Sequence, residues 1–187
     1  MKKFIITLSL LPVLLFAQEQ GDEMKAWMDY MTPGKMHEML AKNSGNWTYV
    51  QETWLEPGAE PMTDKGKAKC SMIFGGRYLQ MEHEGKGFGM DFNGMNIIGY
   101  DNGKGVFQSF WIDNFGTGMA TAEGKWDEAS KSTVMFGTMY DPVSKMDNKY
   151  RTVVRNPSDD SIVNEMYAVS PDGKEFLMMR TTYTRIK

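Results

Sequence analysis

Cysteine is nearly absent from this chain: Cys70 stands alone among 187 residues. A single thiol excludes an internal disulfide, so the fold must hold by packing alone. Histidine is almost as scarce. His37 and His83 lie far apart, and Cys70 is at ligand spacing from neither, which excludes a zinc pattern. No histidine stands near the C-terminal strands to ligate a haem. Basic clusters are missing too, and the formal charge is −3. Nucleic-acid binding, which rests on basic patches, is therefore not expected. The chain has no hydrolase elbow, phosphate-cradling loop, internal repeat or low-complexity segment, and it carries no cofactor motif.

One apolar run does occur, over residues 4–16, after Lys2 and Lys3 and before Ala17-Gln18-Glu19. A basic start, a short apolar stretch and a small residue at a plausible cut read as a secretory signal peptide, cleaved after Ala17. The run is shorter than the roughly 20 residues a membrane span needs. Cys70 is too far from that cut to carry a lipid. The expected address is the periplasm or the medium, and the expected layout is a signal peptide over 1–17, a helical segment over 18–44 and a strand-rich domain over 45–187.

Residues 22–43 carry a helical pattern. Met24, Trp27, Met28 and Met31 repeat at the spacing of one helix face, and Thr32-Pro33 predicts an N-cap and first turn for a second short helix bearing Met36, Met39 and Leu40. From Asn46 on, short β-rich runs alternate with turn residues. The predicted strands are 47–55, 67–74, 78–84, 95–100, 106–113, 118–126, 133–139, 149–155, 162–169 and 176–186. Turns are placed at Glu56-Pro57-Gly58, Gly75-Gly76, Asp101-Asn102-Gly103, Asn156-Pro157 and Pro171-Asp172-Gly173. About ten strands without long interleaved helices predict an all-β fold, an antiparallel barrel. In the fifth strand Phe107, Ser109, Trp111 and Asp113 share one face, and Phe110 and Ile112 the other. Aromatics on both faces fit a barrel wall that lines a cavity on one side. Gly85, Gly87, Gly89, Gly116 and Gly118 are expected where that wall kinks or bulges.

Gly45-Asn46-Trp47 opens the first strand, and Arg185 closes the last. The pair resembles the Gly-x-Trp and terminal arginine of lipocalins and related calycin barrels, which implies a structural plug in which Arg185 covers the Trp47 ring. Asn46-Trp47-Thr48 is also a glycosylation sequon, a reading disfavoured by the core role of Trp47. Over a longer span, His37 with Leu40, Trp54 with Glu56-Pro57-Gly58, Gly75-Gly76-Arg77-Tyr78-Leu79, Gly99-Tyr100-Asp101, Trp111-Ile112-Asp113-Asn114, Glu123-Gly124 and Thr182-Tyr183-Thr184-Arg185 keep their order. Together they resemble the bacterial family catalogued as domain of unknown function 1579. That resemblance implies a calycin-like barrel, often exported, without an established activity.

Arg77, Glu82, His83, Tyr100, Trp111 and Asp113 are the polar residues on aromatic strands, and they are the candidate ligand-binding set. An aromatic cavity with a few convergent polar groups is the usual makeup of a small-molecule site. The plainer alternative is an Arg77–Asp113 ion pair across the barrel with Tyr100 and Trp111 as core. The leading expectation is an exported protein that binds a small, largely apolar ligand, with Arg77, Tyr100, Trp111 and Asp113 orienting its polar end. One alternative is an enzyme using His83 or Glu82 as base near Arg77, or a carboxylate pair among Glu82, Glu84 and Asp113. Another is an envelope interaction module presenting Trp27 and the methionine stripe. His37 reads as a helix-surface or lid residue. Methionine is abundant, at 18. Soft thioethers at Met24, Met28, Met31, Met36 and Met39 beside His37 would suit Cu(I), but adaptable packing is the preferred account and no metal is expected.

Overall fold

The computed structural model describes residues 11–170 and 173–187, with side chains from residue 21 onward. The start of the signal-peptide reading and Pro171-Asp172 of the last predicted turn lie outside the described residues. The described chain divides into a unit ending at Thr32 and a unit over Pro33–Lys187. The first holds α1 (Leu11–Met31), whose side chains from residue 21 on are exposed, Trp27 and Met28 among them. Thr32 donates through Oγ1 to the Met28 carbonyl at 2.6 Å. It thus finishes α1 instead of capping the next helix. No helix among the described residues is long and apolar enough to cross a membrane.

The second unit begins with α2 (Lys35–Ala41), whose N-cap is Gly34. Capping falls to His37, in the first turn: its Nδ1 accepts the Gly34 N–H at 3.0 Å. This imidazole is buried, 5 % exposed, and meets the Tyr100 ring edge-on at 6.0 Å. The surface or lid role expected of His37 is thereby corrected. A short helix with no side-chain cap at Gly34 leaves first-turn donors free, and the histidine turns inward to take one.

Ten strands follow: β1 (Gly45–Thr53), β2 (Met62–Ile73), β3 (Tyr78–Gly87), β4 (Met90–Asp101), β5 (Val106–Asp113), β6 (Ala120–Asp127), β7 (Ser132–Asp141), β8 (Met146–Ser158), β9 (Ser161–Val169) and β10 (Glu175–Arg185). Each pairs antiparallel with its sequence neighbours, and β10 returns to β1 to close the barrel. Every predicted strand is present. β2 and β4 start earlier than their β-branched residues indicate, because neighbour pairing carries the ladder through Asp64 to Gly66 and through Met90 to Gly94. Asn156-Pro157 is no turn: β8 continues to Ser158 through an irregularity after Arg155. Gly85 makes no bulge either. It pairs with Gly66, and a Cβ on Gly85 would lie 2.7 Å from the Tyr49 hydroxyl, so the bare wall admits that ring. Gly116 and Gly118 sit in the β5–β6 loop.

Strand alternation sorts the wall into two faces. Trp47, Tyr49 and Gln51 of β1 face inward, and the register carries that face to Ala68, His83, Gly94 and Asp113, and through β10 to Tyr183 and Thr181. One end is sealed: Trp47, Leu79 and Phe107 are 0 % exposed, and α2 packs on β2, β3 and β4, adding Leu40 and His37 to the core. The Arg185 guanidinium lies 4.1 Å over the Trp47 ring. It also donates to the carbonyls of Ser44 at 2.6 Å and Lys42 at 2.7 Å, while the Trp47 indole N–H donates to Asn43 O at 3.0 Å. The other end, where β1 runs into β2 and β5 into β6, carries no such cover among the described residues.

Candidate functional site

Toward that second end, side chains that face inward become accessible. Gln51 of β1, Asn96 of β4, Ser109 and Trp111 of β5, Asn164 of β9 and Met179 of β10 are all half-buried, and Met139 on β7 reaches 37 % exposure. Inward-facing groups that solvent can reach mark the barrel as open at this end. Its wall is largely uncharged and hydrogen-bonded to itself. Ser109 donates to Asn96 at 3.1 Å, Thr152 to Asn164 at 2.6 Å and Thr181 to Gln51 at 3.4 Å.

One side of the mouth is aromatic. Phe88, in the β3–β4 hairpin, stands 6.3 Å from Phe115 of the β5–β6 loop, and Phe115 stands 5.3 Å from Phe92. Phe92 lies nearly parallel to Trp111 at 6.1 Å, and Trp111 meets His83 edge-on at 5.2 Å. Glycines make the room: a Cβ on Gly87 would lie 2.8 Å from Phe115, and one on Gly94 2.7 Å from Trp111. Asp113 fixes the upper part of this series. It accepts the Trp111 indole N–H at 2.6 Å through Oδ2 and the Phe115 and Gly116 N–H groups through Oδ1.

The six predicted residues therefore fall into three places. His83, Trp111 and Asp113 share the inner wall. Tyr100 also faces inward, but at the sealed end, 4.9 Å from Phe107. Glu82, one residue from His83, points outward and accepts a hydrogen bond from Gln80. With Glu84, Lys67, Lys69, Met95 and Ile112 it lines an open pocket of about 860 Å³, whose lining also includes His83, Asp113 and Trp47. Arg77 lies in the β2–β3 hairpin at the sealed end and donates to Phe74 O at 3.1 Å. The alternative, an Arg77–Asp113 ion pair, does not form, since the two residues sit at opposite ends of the barrel.

At the foot of the aromatic series His83 Nε2 is 3.0 Å from the Tyr183 hydroxyl. Burial drives the imidazole pKa down to about 4, against a smaller opposing effect of the Met81 and Gly94 carbonyls. It is thus neutral near pH 7. Burial likewise raises the Tyr183 hydroxyl and pushes the Cys70 thiol up to about 12, which leaves that sulfur a protonated, unreactive packing group. Among the described residues, neither Tyr49 OH nor His83 Nδ1 finds a hydrogen-bond partner.

A family model described as a protein of unknown function, DUF1579, matches residues 32–185. The chain belongs to this family. Among solved structures, the S-type phycobiliprotein lyase of Guillardia theta is similar at 10% identity, with a TM-score of 0.54 over 82% of this chain and 94% of the lyase. At that identity the likeness concerns the fold. No curated protein matches.

Two features of this DUF1579 barrel escape a reading by residue type. The first is the amide and hydroxyl lining, since Gln51, Asn96, Asn148 and Asn164 look like ordinary surface residues until the register turns them inward. The second is where the methionines lie. Met81 and Met135 are core, Met166 and Met179 pair across strands on the accessible wall, and Met62, Met90 and Met146 ring the mouth. Of the Met–His set on the helices, Met36 and Met39 pack against the barrel core, and His37 Nδ1 is engaged by Gly34. Outside the barrel, Glu165 is held by Arg155 at 2.8 Å, Arg180 at 2.9 Å and Tyr167 at 3.2 Å, and its side chain is only 8% exposed. The two guanidiniums, Arg155 first, keep its carboxyl below the ordinary glutamate range although burial opposes them.

Proposed function

We propose that this DUF1579 protein is an exported carrier that holds a small, largely apolar ligand in the open half of its barrel. The observation that carries the reading is the gradient along the inner wall, from Trp47 and Phe107, fully buried, through Trp111 and Asn164, half-buried, to Met139, exposed. A sealed floor, an accessible polar and aromatic wall and a rim of methionines make a receptacle, and methionine suits it because its side chain adapts to differing shapes. The fold likeness to a phycobiliprotein lyase supports the same class. Export rests on the apolar run ahead of Ala17. Trp111 and Asp113, with the amides of Gln51 and Asn164, replace Arg77 and Tyr100 as the groups that orient the ligand. An enzyme using His83 or Glu82 as base near Arg77 is less well supported, because Tyr183 occupies His83 Nε2, Glu82 points outward, and Arg77 lies in the hairpin at the sealed end.

The test uses a neutral fluorescent apolar probe, N-phenyl-1-naphthylamine, on protein exported by a bacterial host. The expected results are a mature mass beginning at Gln18 and saturable one-to-one binding that weakens at least tenfold in Asn164→Phe, a variant that fills the cavity. Retained thermal stability in that variant shows that the loss is local. An uncleaved chain overturns the export; absence of saturable binding, or binding untouched by Asn164→Phe, overturns the carrier.

A further inference from the structure

Resting on the carrier reading, we infer that the ligand is a flat aromatic molecule bearing no acidic group, neutral or cationic. Charge on the inner wall is one-sided. Among the described residues, no inward-facing strand position holds a lysine, and the one arginine on that face, Arg185, is committed at the sealed end to Trp47 and to the carbonyls of Ser44 and Lys42. The inward-facing charges near the mouth include the carboxylates Asp64, opposite Gln51 in the register, and Asp113 beside Trp111. Asp113 cannot swing away, because three N–H groups hold it.

An anion entering this cavity would lose water, meet no cation and approach two carboxylates. A neutral ring system pays none of these costs, and a cation gains the carboxylates and the ring faces together. Shape follows from the aromatic series. Phe88, Phe115, Phe92 and Trp111 lead from the exposed rim inward, and the near-parallel Phe92 and Trp111 planes, 16° apart, present flat faces. Flat conjugated rings stack on such surfaces better than flexible chains do. Neutral amides at Gln51, Asn96 and Asn164 on the wall then serve uncharged hydrogen-bonding groups of the ring system.

Three probes with one shared body separate the possibilities: N-phenyl-1-naphthylamine, its 8-sulfonate, and a derivative bearing a trimethylammonium group. The neutral and cationic probes should bind at least tenfold more tightly than the sulfonate at low salt. Asp64→Asn, which keeps size and hydrogen bonding, should lower cation affinity severalfold and leave the neutral probe unchanged. Trp111→Leu should weaken both. Tightest binding of the sulfonate, equal affinity for all three, or indifference to Asp64→Asn would overturn the ligand class while leaving the carrier standing. Failure of all three probes to bind would overturn the carrier itself.

Discussion

His83 shows how much a neighbourhood decides about a residue. In an unfolded chain it titrates near 6.5; in the barrel, ringed by Trp111, Tyr49 and Tyr183, burial lowers it to about 4. The unfolded chain therefore binds the extra proton first as pH falls. The associated stability is whole above pH 6.5 and drains away between about 6.5 and 4, to a total of about 3 kcal/mol. Denaturant melts at pH 7, 6, 5 and 4 should show that slope, and His83→Gln, which still reaches Tyr183, should lack this component. Identical pH profiles for the two proteins would refute the assignment. The sequence names His83, Trp111 and Asp113 as site residues by type, and these three do line one wall. It also names Glu82 and Arg77, which do not. Glu82 differs from His83 only by alternation, and alternation tells which residues share a face without telling which face is inside.

The strands were legible because turn residues punctuate them and β-branched or aromatic residues fill them. The signal weakened where pairing overrode propensity, as in the Asp64 to Gly66 stretch of β2. Glycine was the harder residue to interpret. Gly94 is needed for space, since Trp111 fills the volume its Cβ would occupy. Gly94→Ala should cost about 1–3 kcal/mol through overpacking and should shift the Trp111 emission; Gly94→Ala combined with Trp111→Leu should recover most of that stability. At the sealed end, Arg185→Met keeps length but removes the guanidinium from Trp47 and from the carbonyls that tie the end of α2 to the last strand. A loss of about 2–3 kcal/mol is expected from the cation–π contact and the charged hydrogen bonds together. Urea unfolding measures it, and a change below about 0.5 kcal/mol would show that the plug stands without its arginine.

For the molecule as a whole, the division into a sealed and an open end was beyond the sequence. It arises from closure of ten strands and from α2 settling on one end, and both depend on contacts distant in the chain. The outer face of β8, β9 and β10 is similar: Glu165, Arg155 and Arg180 look like scattered surface charge until the register aligns them. Glu165→Gln leaves two guanidiniums facing a neutral amide and should lower stability by about 1–2 kcal/mol, a discount from the fully buried case because both arginines are more than a third exposed. High salt should narrow the difference in calorimetry.

The pairing of β10 with β1 has a consequence in time. The Arg185–Lys42 hydrogen bond spans 143 residues, so the seam joins the two ends of the described barrel, and loops of that length close late and slowly. Until the last strand is available, β1 and β9 each offer a bare edge of unpaired amides, which invites pairing with another chain. The final dozen residues thus act as the clasp of the barrel: a chain shortened by that much would be expected to lose solubility together with Met179 and Thr181 from the inner wall.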